Sequence, residues 1–175
     1  MGENCSSLTG GIDVGGIKFS RKLVQYNWIG NQGEPVPGLR LFRLLAENRI
    51  NIPFLCIGVA GSGILSFCCV EYEFFRQVRK LVELDAPMRQ NIEVISPVGT
   101  LTLFPHKCNL ALLGIVMSEL GKAGLPIHAI GTSISALTFS TDYNLLNHAV
   151  DVLGRVLNLP SNHAPFRSKF RIEQI

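Results

Sequence analysis

Apolar residues at Leu110, Leu113, Met117 and Leu120 fall at i, i+3, i+7 and i+10, the spacing of an amphipathic helix, and Gly124 is placed to stop it. The stretch has an earlier counterpart. From Pro37 the chain reads PGLRLFRLLAENRINIPFLCIG, and from Leu112 it reads LLGIVMSELGKAGLPIHAIGTS. Setting Ile52 against Ile127, an offset of 75 positions, matches Leu41 with Val116, Phe42 with Met117, Leu45 with Leu120 and Ile50 with Leu125. The pattern predicts two modules, residues 12–96 and 97–175.

Both modules read in the same order. In the first, Ile17 to Ile29 predicts a strand whose apolar phase slips between Phe19 and Val24, as at a bulge or bend. Asn31 to Gly38 is dense in turn formers and opens a helix with Leu41, Leu44 and Leu45 on one face, ending near Asn48. Ile52 to Ala60 and Ile64 to Val70 flank Gly61-Ser62-Gly63 and predict a hairpin. A helix carrying Phe74, Val78 and Leu81 follows, then a short strand over Ile92 to Ile95. In the second module, Val98 to Phe104 is a strand, and Ile127 to Ile130 with Ser135 to Ser140 forms a hairpin. Asp142 caps a helix carrying Leu145, Ala149, Val152 and Val156, and Arg167 to Ile172 closes the sheet. The fold class is α+β: two ferredoxin-like βαββαβ modules, antiparallel sheets with helices on one face. Each apolar side chain buried on the open face contributes about 1.5–3 kcal/mol, so the modules are expected to associate with each other and with a second chain.

Composition narrows the partners. Of 175 residues, 47% are hydrophobic and 17% charged, as in an ordinary folded domain. Sixteen Lys and Arg against thirteen Asp and Glu leave only +3, and the hairpins show no basic and aromatic stripe, so no nucleic-acid partner is expected. The longest apolar run, Leu110 to Met117, falls short of the roughly 20 residues that span a bilayer, and no membrane partner is expected. Five cysteines (Cys5, Cys56, Cys68, Cys69, Cys108) include no CxxC pair and read as reduced, buried thiols, hence a soluble cytoplasmic protein.

Two motifs at the amino end invite other readings. Met1-Gly2-Glu3-Asn4-Cys5-Ser6 fits a myristoylation pattern that is short and frequent, and a frayed start explains it equally. Gly10-Gly11-Ile12-Asp13-Val14-Gly15-Gly16-Ile17-Lys18 resembles the phosphate-binding hairpin of the hexokinase and actin superfamily, but the two large lobes of that family do not follow. A glycine-rich lead into a strand is the expectation.

The doubled order does resemble a family. Leu112-Leu113-Gly114-Ile115-Val116 through Leu120-Gly121-Lys122-Ala123-Gly124-Leu125-Pro126-Ile127, then Ile130-Gly131-Thr132-Ser133, is similar to the ACT domain in the tandem form of the aspartate kinase regulatory region. Pro37 to Ile57 is similar in pattern but lacks the Thr-Ser pair. The resemblance implies an effector, usually an amino acid, held between modules, with a carboxylate on the free amides of a helix N-terminus. The matching positions are Pro37, Gly38 and Leu39, then Asn109, Leu110 and Ala111, with Ile127 and His128 on the second strand. Where the family often has an Asp to meet the ammonium, this chain has Pro53 and His128.

No reaction is specified. The four histidines, His106, His128, His148 and His163, fall on a loop, a strand, a helix and a tail, and His106 with Cys108 reads as a polar turn. The expectation is therefore no enzyme, no cofactor and no metal. It is instead a stand-alone regulatory protein that senses an amino acid and acts through a homo-oligomer, a homodimer for instance, or a regulated partner protein. The alternative is a ligand-free assembly module.

Overall fold

The computed structural model describes residues 11–30, 38–60, 63–105, 110–160 and 166–167. Lipidation at residues 1–6 and the His106–Cys108 turn lie outside them. In chain order the strands and helices are β1 (Ile12–Asp13), β2 (Gly16–Phe19), β3 (Leu23–Gly30), α1 (Leu39–Glu47), β4 (Phe54–Ala60), β5 (Gly63–Glu71), α2 (Phe75–Leu84) and α3 (Ala86–Asn91). There follow β6 (Ile92–Phe104), α4 (Leu110–Lys122), β7 (Ala129–Thr132), β8 (Leu137–Asp142), α5 (Leu146–Leu153), β9 (Leu157–Asn158) and β10 (Phe166–Arg167). The result is a mixed α and β fold built on antiparallel sheet. Its described residues form two compact units: 20–100 with Asp142–Asn144, and 11–19 with 101–141 and 145–167. A division of the chain in sequence order at residue 96 differs from this grouping chiefly at the amino end, where residues up to Phe19 join the later half.

In the 20–100 unit, β3 is the spine. It pairs antiparallel with β5 from Leu23 opposite Glu71 to Gly30 opposite Ile64, and with the first part of β6 from Trp28 opposite Ile92. β5 pairs in turn with β4, giving the order β6-β3-β5-β4. Alternation along β3 turns Val24, Tyr26 and Trp28 to one face, where they pack with Cys68 and Val70 of β5, Leu41 and Leu45 of α1, Val78 and Val82 of α2, and Met88 of α3. Both long helices of this unit thus share one sheet face. Leu23, Cys69 and Val98 form a second, smaller cluster with Phe54 and Ile95.

In the other unit the neighbours of β6 are β8, which also pairs with β7, and β2. β2 runs antiparallel to β6, with Gly16 opposite Phe104 and Phe19 opposite Leu101. The place beside the first strand of this unit is therefore filled from the start of the chain. The single strand expected over Ile17 to Ile29 is two strands in different units. Its phase slip at Ser20–Lys22 is the crossing point, where the Ser20 amide donates to the Thr100 carbonyl at 2.9 Å and Ser20 Oγ accepts from the Thr100 amide at 2.8 Å. The strands expected at Ile92–Ile95 and Val98–Phe104 are one strand, with a register shift against β3 around Ser96-Pro97. β10 lies parallel to β2, and the remainder of the strand expected at Arg167–Ile172 lies outside the described residues.

The glycine-rich run is structural. β1 pairs parallel with β9, and Asn158 Nδ2 donates to the Gly11 carbonyl at 2.7 Å and to Asp13 Oδ1 at 3.0 Å. A Cβ on Gly11 would stand 2.6 Å from Asn158 Oδ1, and one on Gly15 would collide with the Pro105 ring. The glycines allow close strand approach, and the aspartate is held by an asparagine amide.

The 75-position repeat marks equivalent places. Leu41 and Val116, Leu45 and Leu120, and Ile50 and Leu125 are all buried. On α4 the buried stripe is accordingly Leu112, Val116 and Leu120, whereas Leu110 is 83% and Met117 44% exposed, so the expected stripe through Leu110 and Met117 is displaced. Both first helices end in the same hydrogen-bonded turn. In α4, Gly124 at φ 68° donates to Gly121 and Leu125 donates to Leu120; after α1, Arg49 at φ 54° donates to Ala46 and Ile50 donates to Leu45. Arg49 occupies a left-handed position that its twin fills with glycine. We expect Arg49→Gly to raise stability by about 1 kcal/mol and Gly124→Ala, whose added Cβ meets nothing within 4 Å, to lower it by about the same amount, in denaturant titrations.

Candidate functional site

The first candidate position is the turn into α1. Gly38 is buried at φ 81°, caps the helix without a side chain, and its carbonyl accepts from the Phe42 amide at 2.9 Å. Among the described residues no side chain at the cap takes the amides of the first turn, which begin with Leu39 at the positive end of the helix dipole. A Cβ at Gly38 would lie 2.6 Å from Ser66 Oγ and 3.1 Å from Phe42 Cζ. Ser66 is buried on β5 opposite Trp28, so the turn is pressed onto the sheet and only glycine fits. Pro37 lies outside the described residues.

The second set is arranged differently. α4 begins at Leu110, four positions ahead of Gly114, the repeat partner of Leu39, so Leu110 and Ala111 sit on a turn that α1 lacks, and both are exposed. Asn109 lies outside the described residues. Ile127 and His128 are half-buried ahead of β7, and the His128 amide donates to the Ser140 carbonyl at 2.9 Å. Gly38 and Leu39 belong to one unit, and Leu110, Ala111, Ile127 and His128 to the other.

A groove of about 370 Å³ beside the first turn was not read from the sequence. Leu39, Arg40, Arg43, Leu44 and Glu47 of α1 line one wall, and Asp85 and Met88 the other. The second wall exists because α3 does: Asp85 Oδ1 accepts from the Met88 amide at 3.0 Å, and Pro87 follows at the second helical position. An Asp two places before a Pro is a helix-start signal that could have revealed it. Asp85 also binds Arg40, with Nη1 3.0 Å from Oδ2, joining the first turn of α1 to the start of α3.

Among the described residues no group of three or more His, Cys, Asp or Glu is placed to hold a metal ion, and no helix is long and apolar enough to cross a membrane. Cys56, Cys68 and Cys69 are free thiols. Burial pushes the Cys68 thiol up to about 12, and burial with the neighbouring Cys68 pushes Cys69 up as well, so neither supplies a thiolate at neutral pH.

No protein-family model matches the chain, and no curated protein matches it. Solved structures do. The regulatory subunit of aspartate kinase from Thermus flavus aligns at TM-score 0.67 and 17% identity over 82% of this chain and 97% of that one. The chain's fold is that of an aspartate kinase regulatory subunit. Aspartokinase alpha and beta subunits align at TM-score 0.70 and 16% identity over 82% and 97%, and aspartate kinase from Synechocystis at 0.65 and 16% over 86% of this chain but 28% of its own. At these identities the likeness establishes the fold.

Two outcomes test this geometry. Gly38→Ala is expected to cost about 2 kcal/mol, from the left-handed turn and the displaced Ser66, and to lower the melting midpoint by about 4–8 °C. The two buried thiols are protonated in the folded chain at pH values where the unfolded chain, with thiols near 9, has released its protons. Their contribution is full below about pH 9 and is lost as pH rises toward 12, so the denaturant midpoint should fall across that interval, and replacing both by alanine should flatten the fall.

Proposed function

We propose that this protein is a non-catalytic regulatory protein of two ferredoxin-like, ACT-like modules that senses an amino acid and acts through a homo-oligomer or a regulated partner. The observation that carries the reading is the likeness to aspartate kinase regulatory subunits, which extends over 97% of the Thermus flavus chain. The turn at Gly38 supports it, because backbone donors at a helix start accept a carboxylate without a dedicated side chain. The mechanism is linkage: an effector shifts the assembly by its differential affinity for the two arrangements. Pro53 and His128 stand where the family often places an ammonium-binding Asp, so the effector differs in pose or identity from an aspartate kinase effector. Free thiols at Cys56, Cys68 and Cys69 support a reducing, cytoplasmic setting.

A second reading, a ligand-free assembly module, has its own support. Among the described strands β4 stands at the edge of its sheet, and it carries Leu55 at 44% and Ile57 at 48% exposure. Apolar edge strands pair with further chains unless covered.

The test is thermal unfolding with sedimentation velocity against the twenty amino acids. A ligand at about 100 times its Kd adds about 2.7 kcal/mol, which raises the midpoint by about 5–10 °C. One clear stabiliser that also changes the sedimentation coefficient is the expected result. An oligomer that no amino acid stabilises, and that Ile57→Lys dissociates, favours assembly alone.

A further inference from the structure

The groove between α1 and α3 carries charges that the fold leaves unused. Arg40 is committed to Asp85, and Asp85 to Arg40 and the Met88 amide. Among the described residues, Arg43 and Glu47, on the same wall, make neither a hydrogen bond nor an ion pair. On α2 the same residue types at the same spacing do pair, Arg79 Nε standing 2.7 Å from Glu83 Oε1. A guanidinium and a carboxylate therefore face solvent one helical turn apart, where facing side chains have Cβ atoms about 5–6 Å apart. Leu39, 47% exposed, and Leu44 add apolar surface to the same wall.

We propose that this groove binds a free α-amino acid with an apolar side chain. Its carboxylate lies on Arg43, its ammonium on Glu47 and its side chain on Leu39 and Leu44. The chemistry asks for both charges in one small molecule. An anion alone meets Glu47, a cation alone meets Arg43, and a zwitterion whose charges are one carbon apart satisfies both. The volume of about 370 Å³ is within the range of small-molecule sites. The Arg40–Asp85 pair fixes α1 against α3 and so keeps the two walls in place. The assignment rests on the amino-acid-sensor reading and refines it: the side-chain class is named, and the carboxylate is met by Arg43, one turn along α1 from the first-turn amides.

The experiment is calorimetric titration of the full chain with the twenty amino acids, the four apolar candidates being L-leucine, L-isoleucine, L-valine and L-methionine, and with L-leucinamide and 4-methylpentanoate, which lack the carboxylate and the ammonium respectively. We expect at least one of the four amino acids to bind, and to bind Arg43→Ala and Glu47→Ala each about tenfold more weakly, with unchanged melting midpoints because both positions are exposed. If leucine binds, both analogues should bind at least tenfold more weakly than it does. Undiminished binding to the two variants, or binding of polar amino acids only, overturns the groove and leaves the sensor reading standing. If none of the twenty amino acids binds the unmodified chain, both fall.

Discussion

Four residue pairs between Gly16–Phe19 and Leu101–Phe104 hold the later unit together. Without β2, the outer side of that part of β6 would expose its ladder, and the buried side chains of Ile17 and Phe19 would be missing from the fold. This demand reaches back into the sequence. The strands can approach only because Gly11 and Gly15 have no Cβ to meet Asn158 and Pro105, and Asp13 is positioned to take the Asn158 amide. A run that resembles a phosphate-binding hairpin is thus accounted for by strand pairing over a separation of more than 80 positions, a non-local contact of the kind that slows folding.

Much of the architecture was legible because the chain says it twice. Matching Leu41 with Val116, Leu45 with Leu120 and Ile50 with Leu125 located buried positions in both units, whereas the fourth match, Phe42 with Met117, falls on an exposed position of α4. Leu110 and Met117 satisfy the helix spacing as well as Leu112 and Val116 do, and an apolar helix offers two stripes of which packing selects one. The split of the Ile17–Ile29 strand appeared in the sequence as a broken phase. That the two halves pair with different parts of β6, in different units, was not visible, since alternation carries no information about partners.

The candidate site was legible in its backbone and illegible in its surroundings. Gly38 was expected at a helix start, and it is there, but the neighbour that makes glycine obligatory, Ser66, is brought up by a hairpin partner 28 positions away. α3 was missed because six residues are too few to show a period, and with it went Asp85 and Met88 and the groove they wall. What survives these corrections is a twice-used helix end, buried inert thiols, a glycine-capped helix start and a fold similar to that of aspartate kinase regulatory subunits.

Residues 16–19 belong energetically to the later unit, with whose part of β6 they pair. Hydrogen exchange of the full chain measures it, comparing the unaltered protein with Leu120→Ala, a cavity in that unit expected to cost about 2–5 kcal/mol. Amide protection over Gly16–Phe19 is expected to fall together with that of Leu101–Phe104 and Leu137–Thr141, while Leu23–Trp28 keeps its protection. Protection over Gly16–Phe19 that instead stays with Leu23–Trp28 would contradict it.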